Sequence, residues 1–342
     1  MTQAPATLHE DAERFAQLLE RRDRRACIAA AVGLIDDGLS VADFVLGVLA
    51  PALARLSDGM WHRGEWTAAY QQSAVEIADT LLAVTAARAQ PGTADGRLVV
   101  CVAERDSQNL PARMLCELLR AEGFTVAFLG TPTMTAGVAR MLGQMPADAL
   151  VLSCSVPVNL PATVPLIEAA HDAGVPVLAA GRGFGEDDVR ATCLGADCLT
   201  PRIDAVRSAV ERLRQTPAPL AASTAERVQA QEILAIRAPL TEQLAEQVEY
   251  RSGHLLARGP RSRNALRDDL DAVLGWLAAA VLCDERILVE HVEGLAARGR
   301  HRRQDPRIVT TMLRTVEDRL AFDVPAAAAP LAAAQGVMRL AG

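Results

Sequence analysis

The sequence contains no lysine, because all 35 of its basic residues are arginine. Lysine is the nucleophile of Schiff-base enzymes and the phosphate-binding residue of the P-loop, so both chemistries are excluded. No Ser-His-Asp order with motif support, no cluster of metal ligands and no phosphate-binding loop is recognisable either. We therefore expect a protein that is not itself an enzyme.

Aromatic residues are also rare, at 3% of the 342 residues, whereas 50% of the chain is hydrophobic. The core must therefore consist mainly of alanine, leucine and valine. The formal net charge of −7 argues against general affinity for nucleic acid. No apolar run is long enough to cross a membrane, and no signal peptide is recognisable. The seven scattered cysteines predict reduced thiols and a cytoplasmic location.

The alternation of strand and helix patterns is clearest in residues 98–131. A short apolar run, Leu98–Val102, predicts a buried strand, and the polar loop 104–109 follows it. Pro111 then begins a helical pattern, which Gly123 ends before the next apolar run. Ligands of open parallel sheets bind at the loops that leave the carboxyl ends of the strands. The loop 104–109 is therefore the first candidate for a functional site.

The rest of the chain divides into helical and alternating regions. Residues 1–90 predict a four-helix cap bundle, and residues 97–214 predict a flavodoxin-like, doubly wound parallel sheet. Residues 225–322 predict an all-helical C-terminal domain, and the Ala/Pro-rich tail from Val324 is interpreted as a terminal arm. The predicted fold class is therefore α/β, with helical domains on both sides of the sheet domain.

Three local motifs lie at the ends of these predicted elements. The first, at the junction of the third and fourth helices, comprises Trp61, His62, Gly64 and Glu65. The second, in the first loop of the sheet domain, comprises Asp106, Ser107, Gln108, Asn109, Leu110 and Pro111. The third comprises Ser153 and Ser155, together with the turn Gly181, Arg182, Gly183 and Phe184.

In this order the motifs resemble the cobalamin-binding module of cobalamin-dependent methyltransferases, corrinoid proteins and light-responsive transcriptional regulators. The resemblance covers residues 30–200. It implies that Trp61 covers the upper face of a corrin ring, and that Ser153, Ser155 and Gly181 help to hold the nucleotide tail. The implied ligand is adenosylcobalamin or another cobalamin. The alternatives are a plain tryptophan at a helix junction and an ordinary strand-to-helix turn.

The chain departs from the family pattern at the lower cobalt ligand. The family motif is D-x-H-x-x-G, in which the histidine ligates cobalt and the aspartate hydrogen-bonds the other imidazole nitrogen. Asp106 is kept here, but Gln108 and Pro111 replace the histidine and the glycine. Histidine ligation at this position is therefore excluded, and the amide of Gln108 is a poor substitute because amides are weak ligands for cobalt.

The upper side shows the same change of residue type. Regulators of the family carry Glu-His after the tryptophan, where this chain has Gln71 and Gln72. His62 remains as the candidate metal ligand, since it could reach the upper face of a bound tetrapyrrole. The alternative, which we favour for His62, is an exposed histidine at a helix end.

The helical stretch Asp268–Leu320 resembles the globin-like sensory domain of the photocobilins, which helps to bind a bilin. Trp276 and His291 lie on separate predicted helices and could face a common pocket. Biliverdin is therefore a second candidate ligand. The favoured alternative places Trp276 in the core and His291 on the surface.

Three functions remain open at this point. The first is a non-enzymatic sensor or photoreceptor-like regulator that binds a cobalamin-type tetrapyrrole and acts on a regulatory protein partner. The second is a corrinoid methyl carrier, which the loss of the lower histidine disfavours. The third is a degenerate module that serves as a scaffold for proteins or another small molecule, which the paired changes to glutamine favour. Apolar faces of the helical regions also predict a homodimer.

Overall fold

The computed structural model describes residues 5–62, 68–88, 96–130, 134–200, 202–213, 224–256, 260–301 and 305–340. Among the helices in these ranges, none combines the length and the apolar character needed to cross a bilayer.

The N-terminal region is a bundle of helices with a core of its own. Its elements are α1 (Pro5–Arg21), α2 (Arg24–Asp36), α3 (Val41–Asp43), a π-helical segment (Phe44–Leu49), α4 (Ala50–His62) and α5 (Ala68–Ala86). Phe15 and Phe44 are fully buried and meet edge to face, with 5.6 Å between their ring centroids. The predicted helical bundle is therefore confirmed.

The third predicted helix begins and changes pitch for reasons visible in its sequence. The Ser40 hydroxyl accepts a hydrogen bond from the backbone N–H of Asp43 at 3.0 Å, which caps the helix. Pro51 has no N–H to donate to the preceding turn. The wider π-helical segment Phe44–Leu49 ends just before Pro51, so the missing donor falls where the hydrogen-bond pattern changes.

The central region contains a five-stranded parallel sheet. Its strands are β1 (Arg97–Val102), β2 (Thr125–Phe128), β3 (Ala149–Ser153), β4 (Val177–Ala180) and β5 (Cys198–Leu199). The strand order β2-β1-β3-β4-β5 is that of the flavodoxin-like fold, as predicted. The chain reverses its direction of winding between β1 and β3, where Val102 pairs with Ser153 at the carboxyl ends. Ligands of such sheets bind at this switch point.

Helices cover both faces of the sheet. They are α6 (Leu110–Ala121), α7 (Thr135–Gln144), α8 (Val164–Asp172), α9 (Val189–Cys193) and α10 (Val206–Leu213). Three 3-10 segments connect them, Pro157–Thr163, Arg182–Phe184 and Ile203–Ala205. Helix α8 begins at Val164, directly after the 3-10 segment that contains Pro161.

The C-terminal region is helical to the end of the described chain. Its helices are α11 (Thr224–Ser252), α12 (Pro260–Cys283), α13 (Arg286–His301), α14 (Arg307–Leu320) and α15 (Ala328–Leu340). The interpretation of the tail from Val324 as an arm is wrong. Leu331, Ala334 and Met338 repeat at helical spacing and are buried, so α15 packs on the other helices.

The two helical regions contact the sheet domain differently. The cap bundle packs on α6 through Leu110 and Leu118, which belong to its core. The C-terminal helices share one continuous core with a face of the sheet. A Cβ atom added to Gly275 of α12 would lie 2.9 Å from the side chain of Val158, in the 3-10 segment after β3. The glycine therefore permits close packing of α12 on a loop at the carboxyl edge of the sheet.

Candidate functional site

A cleft of about 410 Å³ lies between the cap bundle and the carboxyl edge of the sheet. One wall comes from α4 and α5, and consists of Leu53, Leu56, Ser57, Gln71, Gln72, Ala74, Val75, Glu76 and Asp79. The other wall is the loop after β1 with the start of α6, and consists of Ser107, Gln108, Asn109, Leu110, Pro111 and Arg113. Its size falls within the range of small-molecule sites. The structure thus brings the second motif to a cleft, at the loop that the sequence indicated.

Asp106 connects the two loops at the switch point. Its side chain is buried, and its Oδ1 accepts a hydrogen bond from the backbone N–H of Gln108 at 2.9 Å. Its Oδ2 accepts one from the backbone N–H of Ser155 at 2.5 Å. Hydrogen bonds to a carboxylate are among the stronger ones in proteins. Asp106 therefore holds the loop after β1 against the loop after β3, a role that needs no imidazole.

Side-chain amides line both walls of the cleft. Gln108 is exposed on the sheet side, and Gln71 and Gln72 lie on the cap side. The Gln72 amide donates a hydrogen bond to Glu76 at 3.0 Å. Amides are neutral donors and acceptors, and they are weaker metal ligands than imidazole. The glutamines that replace the family histidines therefore meet at one cleft, where they can form hydrogen bonds with a ligand.

The charged groups of the cleft are Glu76, Asp79 and Arg113. Arg113 forms an ion pair with Asp79, which connects α6 to α5 across the cleft. Both partners are about a third exposed, at 30% and 35% of their side-chain surface. With that pair neutralised, Glu76 leaves the local charge negative.

Two polar atoms beside the cleft are buried without a hydrogen-bond partner, Asn109 Oδ1 and Ser155 Oγ. Asn109 stands at the N-cap position of α6, yet its side chain makes no capping hydrogen bond. Buried polar atoms are nearly always satisfied by protein, water or ligand. These two atoms are therefore unsatisfied polar groups close to the switch point.

The third motif packs the neighbouring loops together. Gly181 has φ +95°, and a Cβ there would lie 2.4 Å from the carbonyl oxygen of Cys154. The Gly183 N–H donates to the same carbonyl at 2.9 Å, and Phe184 is fully buried. These glycines thus permit the loop after β4 to pack on the loop after β3. Among the described lining residues of the cleft, none comes from the third motif.

Part of the first motif lies outside the described residues. Gly64 and Glu65 belong to an undescribed stretch, and Trp61 and His62 lie in α4 with undescribed side chains. The ligand contacts of Trp61, His62 and Glu65 therefore stay predictions. Within the described ranges, His, Cys, Asp and Glu side chains form no group of three that could hold a metal ion.

Trp276 and His291 stack on each other, with 4.7 Å between ring centroids and 20° between ring planes. His291 is only 7% exposed, so the surface position favoured for it is wrong. Burial in this apolar setting, and then the charge of Arg298, lower the pKa of His291 to about 3. Two rings in direct contact leave no space between them for a planar ligand, and Trp276 is half-buried.

Nothing in the sequence indicated ion pairs between distant parts of the chain. Arg113 and Asp79 are 34 positions apart, and Arg190 on α9 pairs with Asp284 over 94 positions. Neither pair leaves a local signal, because charged residues at helical spacing are expected on any solvated helix face.

A helical bundle placed over the switch point of a flavodoxin-like sheet defines a two-part, ligand-binding class of protein. Residues 96–212 match the family model described as the B12 binding domain. The chain therefore contains a domain of the B12-binding family, which confirms the resemblance and supports a corrinoid ligand. No curated protein matches the chain significantly.

Among solved structures, the monomethylamine corrinoid protein of Methanosarcina barkeri is similar over 59% of this chain and 98% of its own, with 15% identity and a TM-score of 0.50. At that identity the likeness is one of fold. A cobalamin-binding protein from Desulfitobacterium hafniense matches with 15% identity and a TM-score of 0.31, over 60% of this chain and 97% of its own. The methanol:cobalamin methyltransferase complex of Methanosarcina barkeri matches with 18% identity and a TM-score of 0.32, over 63% of this chain and 86% of its own. The latter two overlay too loosely to support an argument.

Proposed function

We propose that this protein is a non-enzymatic regulator that binds a cobalamin-type corrinoid between the cap bundle and the sheet domain, without a protein histidine below the cobalt. The observation that carries the proposal is the amide-lined cleft at the switch point of a B12-binding domain. The nucleotide tail of the ligand would run toward the strand ends at Ser153 and Gly181.

The polar groups of the cleft fit a corrinoid. The corrin ring carries carboxamide side chains, which form hydrogen bonds with other amides. Gln72 and Gln108 present such amides from opposite walls, and Asn109 Oδ1 is a buried acceptor without a partner. Amide pairing of this kind fixes the orientation of a ligand at modest energetic gain.

The same groups disfavour tetrapyrroles that carry carboxylates. Bilins carry propionates, which pair best with free arginines. Among the described lining residues of the cleft, the arginine is Arg113, which is already paired with Asp79, and Glu76 adds negative charge. The stacked Trp276 and His291 offer no slot between their rings either. We therefore do not extend the proposal to biliverdin.

The absence of a lower histidine determines the expected state of the ligand. With Gln108 in that position, this loop would supply an amide and no imidazole to a bound corrinoid. The bound corrinoid would supply a visible chromophore and an exchangeable upper ligand. Asp106 and Gln108 would hold the loop beneath the ring through their backbone contact. Because a bound corrinoid would absorb visible light, the proposal includes a response to light.

A corrinoid methyl carrier is the second candidate. It is favoured by the fold likeness to a monomethylamine corrinoid protein. It is opposed by Gln108, because carriers use the lower histidine to tune cobalt between oxidation states. Methyl transfer from bound methylcobalamin to a thiol acceptor would favour the carrier over the regulator.

The test is a visible spectrum after incubation in the dark with adenosylcobalamin, hydroxocobalamin or biliverdin, each followed by gel filtration. We expect both cobalamins to coelute with the protein, with spectra that show no histidine ligation. The variant Gln108→His restores the D-x-H part of the family motif. It should convert the spectrum of the bound cobalamin to that of a base-off, histidine-ligated form. Colourless protein with both cobalamins would reject the proposal in favour of a degenerate scaffold.

A further inference from the structure

The loop after β4 is held in place from the C-terminal helices by one buried arginine. Arg190 of α9 is 3% exposed. Its Nη1 donates to the carbonyl oxygen of Gly183 at 3.3 Å, and its Nε donates to Asp284 Oδ2 at 2.8 Å. Its Nη2 pairs with Glu290 of α13. One guanidinium therefore connects the backbone of a loop at the carboxyl edge to two acidic residues of the C-terminal region.

A second arginine extends this connection. Arg286, at the start of α13, donates from its Nε to Asp284 at 2.9 Å and from its Nη2 to Asp187 at 3.0 Å. Asp187 lies between the glycine loop and α9. Asp284 thus accepts hydrogen bonds from two arginines and has 5% of its side-chain surface exposed. The segment that carries the loop is consequently fixed to the C-terminal helices at two points.

The loop needs such support because of its composition. Residues 181–185 include glycines at 181 and 185 with φ of +95° and +84°. Glycine loses more backbone freedom on ordering than any other residue, so this conformation is held by its contacts. Cys154 packs on one side of the loop, and a Cβ added to Gly185 would meet the Arg190 side chain at 3.7 Å on the other.

The loop also borders a cleft of about 570 Å³. Arg182, Gly185, Arg190, Arg286 and Glu290 contribute to its walls. Movement of Arg190 would therefore change both the course of the loop and the shape of this second cleft.

We propose that Arg190 is a positioning residue of the corrinoid site, through which the C-terminal helices set the loop 181–185 for the nucleotide tail. The inference rests on the proposed function. It means that docking of the C-terminal helices and binding of the tail are thermodynamically coupled, so each stabilises the other.

The test compares two corrinoids, cobalamin and cobinamide, of which only cobalamin has the nucleotide tail. In Arg190→Gln the affinity for cobalamin should fall about tenfold, the size of one lost charge-assisted contact. The affinity for cobinamide should stay unchanged. Glu290→Gln removes a half-exposed partner of Arg190 and should give a smaller effect of the same kind, should Arg190→Gln fold poorly.

The matched control is Arg267→Gln, which removes an exposed ion pair with Glu242 on the same C-terminal helices, away from the loop. It should leave both affinities unchanged. Equal losses for cobalamin and cobinamide in the Arg190 or Glu290 variant would indicate general destabilisation and overturn the inference, as would no loss for either ligand.

A measurement without ligand separates this inference from the proposed function. Hydrogen exchange of the Gly183, Phe184 and Gly185 amides, which are hydrogen-bonded in the loop, should be faster in Glu290→Gln than in the unmodified protein. Unchanged exchange would overturn the positioning role. Faster exchange in a protein that binds neither corrinoid would reject the proposed function and leave the support of the loop by Arg190 standing.

Discussion

The sheet domain is held by helices on two sides, and the two contacts differ in kind. On the cap side, α6 packs on a separate core, and the ion pair between Arg113 and Asp79 is about a third exposed. On the C-terminal side the core is continuous, and the side chains of Arg190 and Asp284 are 4% and 5% exposed. An exposed pair contributes about 0–1 kcal/mol, whereas breaking a buried pair costs about 3–5 kcal/mol.

This difference assigns separate roles to the two helical regions. The cap meets the sheet around a cleft, where its polar contact is a partly solvated ion pair and its apolar contact is the packing of Leu110 and Leu118. The C-terminal helices are fixed to the loops after β3 and β4, at Val158 and at Arg190. The loops after β3 and β4 therefore contact the C-terminal helices directly, whereas the loop after β1 faces the cap across the cleft.

The largest expected effect comes from breaking the buried pair. Arg190→Met leaves Asp284 and Glu290 without this partner, and should lower the free energy of unfolding by about 3–5 kcal/mol. Urea denaturation followed by circular dichroism measures the loss. The double variant Arg190→Met, Asp284→Leu should recover part of it, because it removes the buried carboxylate that has lost one of its two arginine partners. A loss under 1 kcal/mol in the single variant would remove the contrast between the two sides.

Acidification should weaken the C-terminal side through His291. Its pKa is about 3 in the folded protein and near 6.5 in the unfolded chain, so below pH 6.5 the unfolded chain binds the extra proton. This contribution to stability is present above pH 6.5 and is lost as the pH falls toward 3. The stability lost between pH 7 and pH 4.5 amounts to about 2–3 kcal/mol.

Urea midpoints at pH 7 and pH 4.5 measure this loss. His291→Phe keeps an aromatic ring against Trp276 and removes the titrating group, so its midpoints should differ less. The control is His254→Gln, which removes an exposed histidine just after α11 and leaves His291 in place. An equal acid response in His291→Phe and the unmodified protein would contradict this prediction.

The glycine loop gives an intermediate effect. Gly181→Ala places a Cβ against the Cys154 carbonyl in a left-handed backbone, and should cost about 1–3 kcal/mol in unfolding free energy. Gly137→Ala is the control, because this glycine lies in α7 with open space around its Cβ position. The control should be neutral or slightly stabilising. Similar thermal midpoints for both variants would mean that the close packing of the loop on β3 adds little.

The fold could be predicted because short stretches of sequence determine where each strand and helix begins and ends. The buried strands are short apolar runs, and Ser40, Gly123 and Pro111 mark helix ends in the way their backbone chemistry requires. The tail after Val324 was missed because its prolines suggested an arm. Both lie where helices tolerate them, in the short turn before α15 and in its first turn.

The site was predictable in part. Gln108 and Asp106 could be placed at the switch point, since the order of strand and loop determines it. The hydrogen bond that the Asp106 carboxylate accepts from the Ser155 N–H could not be predicted, because Ser155 belongs to another loop. Stacking of His291 on Trp276 and the pairing of Arg190 with Asp284 also depend on how separate helices pack. Hydrophobic periodicity identifies the buried face of each helix, but not which residue of another helix lies against it.

The smallest expected effect tests the cap side. Arg113→Gln should lower the free energy of unfolding by less than about 1 kcal/mol, because the Arg113–Asp79 pair is partly solvated and screened by salt. Removal of the pair loosens the edge of the cleft without touching the loop after β4. Stopped-flow mixing should therefore show faster entry and faster release of hydroxocobalamin, and hydrogen exchange in α5 should increase while exchange in residues 181–185 does not. A loss of stability as large as that of Arg190→Met would show that the cap is fixed as firmly as the C-terminal helices, and that the cleft does not open by movement of the cap.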